Sequence, residues 1–157
     1  MSWIPDRLVS GGQTGVDRAA LDVALTLGVP CGGWCPKGRR AEDGPIDERY
    51  PLKETPRVDY AERTAWNIRD SDATLIISPE PLAGGTKLTA ELARRQPRPC
   101  MAVDPVSDPD AAAKARAWLD DLKPDVLNVA GPRASKTPDH YRIAYDFLIS
   151  LLGAETA

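Results

Sequence analysis

The chain is poor in the residues on which metal and nucleophile chemistry most often rest. Among its 157 residues are one histidine, one phenylalanine and three cysteines. A single histidine excludes a histidine-rich metal centre. His140 falls in the first turn of a helical pattern with no orienting partner nearby, so neither a Ser-His-Asp nor a Cys-His site is supported. The odd cysteine count argues against a disulfide framework and for reduced thiols. Cys31-x3-Cys35 with a distant Cys100 lacks the closer pairs and histidines that zinc takes, so buried, inert thiols and no metal site are expected. The formal net charge of −3 gives no global field for nucleic acid or an anionic membrane. No apolar run approaches the roughly 20 residues that span a bilayer, and Met1 to Arg7 has no apolar segment of signal-peptide type. These absences predict a soluble cytoplasmic protein that binds neither nucleic acid nor membrane. Its length predicts one domain, 1–157, able to bury about two-thirds of its unfolded surface.

Glycine and proline, by contrast, are plentiful, at 12 and 15 residues, and they cluster between the periodic segments. The organising stretch is Leu8-Val9-Ser10-Gly11-Gly12-Gln13-Thr14-Gly15-Val16-Asp17. An apolar run breaks into a glycine turn, and Val16, Ala19, Ala20, Val23, Ala24 and Leu27 then follow at the spacing of one buried helix face. A strand feeding a tight turn and a helix aims the first backbone N–H groups and the positive helix end at a ligand, which makes an anion site. The turn is neither G-x-G-x-x-G nor a Walker A loop. Gly11, Gly12, Gln13 and Thr14 are its candidate donors. Asp17 would repel an anion; it either accepts from a ribose hydroxyl or base amine, or balances Arg18. A turn that needs glycine only for positive φ is the plainer alternative.

Further strands are expected at about Val29–Trp34, Ala73–Ser78, Pro99–Val103 and Val126–Val129, with helices between them. Gly28 sits where a C-cap glycine belongs, and Asp108-Pro109 and Thr137-Pro138 read as cap-then-proline helix starts. Ala73-Thr74-Leu75-Ile76-Ile77-Ser78 is a continuous apolar run of the kind buried on both faces of a parallel sheet. The alternation predicts an α/β fold, a doubly wound parallel sheet of about five or more strands with helices on both faces. The simplest order, 2-1-3-4-5, makes the first and third strands neighbours across the switch point. Residues from about 35 to 57 form a long loop without periodicity, of a kind that is usually functional or mobile.

A second glycine turn, Gly84-Gly85-Thr86-Lys87, would share that crevice, with backbone donors and Lys87 suited to a phosphate. Glu91 follows on its helix and reads either as a general base or sugar-binding carboxylate, or as a solvated residue paired with Arg94 or Arg95. Lys37, Arg39 and Arg40 form the one basic cluster, on the long loop, and either close over an anionic ligand or face solvent beside Glu42 and Asp43. The loop after the fifth strand brings Arg133 and Lys136 towards the same edge.

Several of these stretches together resemble a known family. Ser10-Gly11-Gly12-Gln13-Thr14-Gly15-Val16-Asp17-Arg18-Ala19, Gly33-Trp34-Cys35-Pro36-Lys37-Gly38-Arg39, Trp66-Asn67-Ile68-Arg69-Asp70-Ser71-Asp72, Gly84-Gly85-Thr86 and Asn128-Val129-Ala130-Gly131-Pro132-Arg133 look like the bacterial molybdenum carrier family. That family resembles the molybdenum-cofactor carriers of algae and belongs to the SLOG superfamily of Rossmann-like, nucleotide-binding domains. The resemblance spans roughly residues 7 to 150. It implies a ligand crevice at the two glycine loops, a homo-oligomer (dimer or tetramer), and a phosphorylated small molecule or oxyanion as partner: molybdenum cofactor, molybdate or a nucleotide. The superfamily also contains phosphoribohydrolases that cut the N-glycosidic bond of nucleoside 5'-monophosphates, with the signature P-G-G-x-G-T-x-x-E. Here Ala83 replaces the proline, Gly84 and Gly85 match, Lys87 and Leu88 replace the third glycine and the threonine, and Glu91 matches the glutamate. The resemblance therefore implies a binding protein, with a phosphoribohydrolase using Glu91 or a ligand-sensing oligomer as alternatives. Its ligand residues would be Gly11, Gly12, Gln13, Thr14, Asp17, Lys37, Arg39, Gly84, Gly85, Thr86, Lys87 and Arg133.

Overall fold

A computed structural model describes residues 2–153. The first strand β1 (Arg7–Val9) enters helix α1 (Val16–Leu27), which Gly28 ends in the left-handed conformation, its N–H on the Ala24 carbonyl. The apolar stretch expected as one second strand divides at Gly33, whose φ is +123. Before it, β2 (Cys31–Gly32) pairs with β1. After it, β3 (Trp34–Cys35) leaves the main sheet and pairs with β6 (Lys53–Glu54). Between them β4 (Arg40–Ala41) and β5 (Gly44–Pro45) form a small antiparallel hairpin.

This segment has no long-range periodicity because it is organised by its own cluster of Leu21, Cys35, Ala41, Ile46, Tyr50 and Leu52 and by one arginine. Arg39, itself at φ +54, donates to the carbonyls of Ile46, Asp47, Tyr50 and Leu52 at 2.8–3.1 Å. Four backbone acceptors gathered on one guanidinium replace the ladder that the segment lacks.

The remaining elements alternate: α2 (Tyr60–Arg69), β7 (Ala73–Ile77), α3 (Gly84–Arg95), β8 (Cys100–Val103), α4 (Ala111–Leu122), β9 (Val126–Ala130) and α5 (His140–Leu152). Asp59 caps α2 by accepting from the Glu62 N–H at 2.8 Å, the first half of a capping box. α4 begins at Ala111 rather than directly after Asp108; the Asp108 carboxylate accepts from the Asp110 N–H and from Lys114 instead.

The five-stranded sheet is parallel throughout, with helices on both faces, and the doubly wound α/β class holds. Its order does not. The strands run β2-β1-β9-β7-β8, so the last strand lies between the first and the third rather than at an edge. Leu127 pairs with both Leu8 and Ala73, and Asn128 with both Val9 and Thr74. β9 fits the middle because both of its faces are covered, whereas Cys100 and Ala102 of β8 are exposed, as an edge strand allows. The same placement corrects the expectation that all three cysteines are buried, since Cys100 lies on that edge. Counted from β9 as the first strand, the spatial order becomes 3-2-1-4-5, the first five strands of the Rossmann arrangement. The switch point therefore lies between β9 and β7.

The main core fills the space between the sheet and α1, α4 and α5, with Leu8, Leu75, Ile77, Leu127 and Val129 facing Val16, Ala20, Leu119, Ala144 and Leu148. The opposite face carries buried polar groups, including Thr74 and Asn128, which are joined at 3.2 Å. Among the described residues no helix is long and apolar enough to cross a membrane.

Gly131 lets the chain leaving β9 pass close to β7 and α1. A Cβ there would stand 2.4 Å from the Ile77 carbonyl oxygen and 2.7 Å from Val16 Cβ. Gly131→Ala is expected to cost about 1–3 kcal/mol in urea unfolding. Gly85→Ala, with no atom within 4 Å of its Cβ position, should change stability by less than about 1 kcal/mol. Equal losses in the two variants would contradict this packing.

Candidate ligand-binding site

β9 and β7 leave the sheet side by side, and their helices pack on opposite faces, α5 against α1 and α3 against α2. Ligands of open α/β sheets bind where successive connections diverge in this way. A cavity of about 510 Å³ occupies the place, within the usual size of small-molecule sites. Its walls come from Ser78 to Thr89 after β7, from Asn128 to Thr137 at the end of β9 and in its loop, from the first glycine turn, and from the inner face of α2.

The start of α3 is the receptive part. Ala83 offers no side-chain cap and the first turn holds no acidic residue. No atom lies within 4 Å of a Cβ built on Gly84 or Gly85, so the positive helix end faces open space. The opposing wall adds Arg133 and Lys136, together with Thr137, whose hydroxyl oxygen is buried without a hydrogen-bond partner among the described residues. Pro79, Pro81, Leu88 and Val129 supply apolar surface.

The first glycine turn is built differently from the sequence expectation, because its Gln13, Thr14 and Val16 donors are consumed internally. The Gln13 N–H donates to Asp17 Oδ2 at 3.3 Å, the Thr14 N–H to Gln13 Oε1 at 3.0 Å, and the Val16 N–H to the Pro132 carbonyl at 3.3 Å. The Thr14 hydroxyl donates to Glu42 and accepts from the Ala134 N–H. This helix N-terminus already holds a carboxylate of its own chain.

That carboxylate, Asp17, is buried and meets Arg63 Nη1 at 3.1 Å. Burial pushes the Asp17 carboxyl above its ordinary range, against the pull of Arg63 and the Gln13 N–H. Gly11 is glycine for the same reason, since a Cβ on it would lie 1.9 Å from Arg63 Nη1. Arg63 also lies over the Tyr60 ring and donates to the Tyr60 carbonyl. Asn67, one turn on, clasps the Trp34 backbone with both amide atoms.

Of the residues singled out from sequence, Gly11, Gln13, Asp17, Gly84, Gly85, Thr86 and Arg133 line the cavity; Gly12, Thr14, Lys37, Arg39, Lys87 and Glu91 do not. Gly12 faces Leu52 and Ile46, and Thr14 is engaged by Glu42. Arg39 staples the segment around it, Lys37 and Lys87 point to solvent, and Glu91 is half-buried two turns down α3. Sequence reasoning missed Tyr60, Arg63, Asn67, Asn128 and Thr137. The available signal was Arg63 and Asn67, two polar residues four apart on a helix that has to bury a face.

The chain matches the model of the circularly permutated YpsA SLOG family over residues 8–152. It belongs to that family. The permutation is visible in the fold, since moving β9 and α5 to the front restores the Rossmann order. A solved structure, described as a putative molybdenum carrier protein from Syntrophus aciditrophicus SB, is 45% identical, with a TM-score of 0.93 over 98% of each chain. No curated protein matches this SLOG chain.

Removing one partner of the buried pair leaves an uncompensated charge. Arg63→Gln is expected to cost about 3–5 kcal/mol at neutral pH. Because the folded-state pKa of Asp17 is raised, the folded state takes up the proton first, and the loss should shrink as pH falls through that pKa. Asp17→Asn in the same chain should recover most of it. Denaturant unfolding across pH, run as a double-mutant cycle, measures the coupling; a coupling near zero contradicts the pairing.

Proposed function

We propose that this SLOG chain holds a phosphorylated or oxyanionic small molecule in the switch-point cavity, as a binding or carrier protein. The observation that carries the reading is the charge of the walls. Arg63, Arg133 and Lys136 face a single lining carboxylate, Asp17, and the uncapped start of α3 adds its positive end. A phosphate or oxyanion would sit at Gly84, Gly85 and Thr86 between the helix start and Arg133, with Lys136 and the Thr137 hydroxyl completing its shell. A planar ring system would lie against Pro79, Pro81 and Leu88, towards Tyr60. The name of the Syntrophus relative points to molybdate or a molybdenum-bearing pterin as cargo; a nucleotide satisfies the same chemistry.

The phosphoribohydrolase alternative needs a free carboxylate beside the sugar. Glu91 does not line the cavity, and Asp17 is committed to Arg63 and the Gln13 N–H. Binding without turnover is the better-supported reading.

Calorimetric titration with AMP and with molybdate should detect binding of at least one. Arg133→Gln and Lys136→Gln should each weaken it about tenfold, the effect of losing one charge-assisted contact. Incubation with AMP should release no adenine by chromatography; release abolished by Glu91→Gln would overturn the carrier reading.

A further inference from the structure

The strap between β3 and β6 meets the rim of the cavity through the Glu42 carboxylate, and the groups gathered on that carboxylate are those that hold oxyanions. Glu42 Oε1 accepts from the Thr14 hydroxyl and from the Ser135 N–H at 3.1 Å. Its Oε2 accepts from the Ser135 hydroxyl at 2.7 Å and faces Arg133 Nε at 3.6 Å. A backbone N–H, two hydroxyls and a guanidinium thus converge from the two loops that follow β1 and β9. The Thr14 hydroxyl, with Ser135 and Arg133, holds the Glu42 carboxyl below its ordinary range, as for an anion in a fitted seat. In the Rossmann order the loop after β9 follows the first strand, where bound phosphate is usually held. Arg133 also lines the cavity, while Thr14, Ser135 and Glu42 do not.

We propose that Thr14, Arg133 and Ser135 form an oxyanion seat at the cavity rim which Glu42 occupies as an internal substitute, and that a phosphate-type oxyanion displaces it. Displacement frees Arg133 to turn to the ligand and loosens the β4–β5 hairpin, leaving it tethered by the Asp43 pair with Arg18 and the Glu42 N–H on Gln13. The seat rests on the anion-binding reading of the cavity only in sharing Arg133.

The test is calorimetric titration of inorganic sulfate, inorganic phosphate and AMP into wild type, Glu42→Gln and Glu42→Gln/Ser135→Ala. Glu42→Gln should bind inorganic phosphate at least about tenfold tighter than wild type, the worth of one charge-assisted contact. Ser135→Ala in that background should cancel the gain. No gain in a Glu42→Gln protein with native circular dichroism overturns the proposal, and so does a gain that survives Ser135→Ala. If Glu42→Gln does not fold, Glu42→Asp, whose charge is withdrawn by one methylene, should show a smaller gain, and its absence is equally fatal. An equal gain for AMP identifies a ligand-borne phosphate, and a gain confined to inorganic ions identifies a free oxyanion. Failure of AMP and molybdate to bind any variant, alongside the Glu42→Gln gain, removes the cavity reading and keeps the seat; the reverse removes the seat alone.

Discussion

The position of β9 governs this molecule. It is hydrogen-bonded to both β1 and β7, so it joins the two halves of the sheet. It also delivers the loop that seals the first glycine turn, through the Pro132 carbonyl on the Val16 N–H and the Ala134 N–H on Thr14. Because α5 then packs on α1 while α3 crosses to α2, the cavity opens between the last strand and the third. Both the site and the main core follow from that one insertion.

Two glycine turns border the cavity, and chemistry separates what sequence made look alike. The turn before α1 directs its Gln13, Thr14 and Val16 donors to side chains and carbonyls of the chain itself, with Asp17 standing where an external anion would sit. The turn before α3 has no side-chain cap and an open approach. An anion arriving from solvent meets bare helix donors at α3, a filled site at α1, and at the rim a seat held by Glu42. The buried Asp17–Arg63 pair fixes α2 against the first turn and places the Tyr60 ring beside the cavity. It is costly to bury, and the attraction between its charges is largely offset by their desolvation.

Much of the fold was legible because its signals are local. The α1 periodicity, the left-handed cap at Gly28 and the continuous run in β7 all appear where sequence placed them. Strand order was not legible, because neighbours in sequence are the default neighbours in space and nothing within Val126–Ala130 announces that it inserts between earlier strands. The site was half legible. Gly84 to Thr86 and Arg133 stand out as a glycine turn and a loop cation, whereas Arg63 and Asn67 carry no turn or loop signal, and their place depends on the face that α2 turns to the cavity. Arg39 misled for a related reason: a cation among prolines and glycines looks like a ligand arm, but here it satisfies backbone carbonyls that have no ladder.

The central strand is also the last strand of this sheet to be made. Until Val126–Ala130 has emerged, β1 with β2 and β7 with β8 are two separate half-sheets, each presenting an unpaired inner edge. Closing them requires contacts between residues about 120 positions apart, the long-range pairing that slows folding and leaves edges open to other chains. Premature termination before β9 would therefore remove the seam of the sheet as well as one wall of the site. Closure of this sheet waits for β9, in a way that an unpermuted Rossmann domain, which makes its central strand first, avoids.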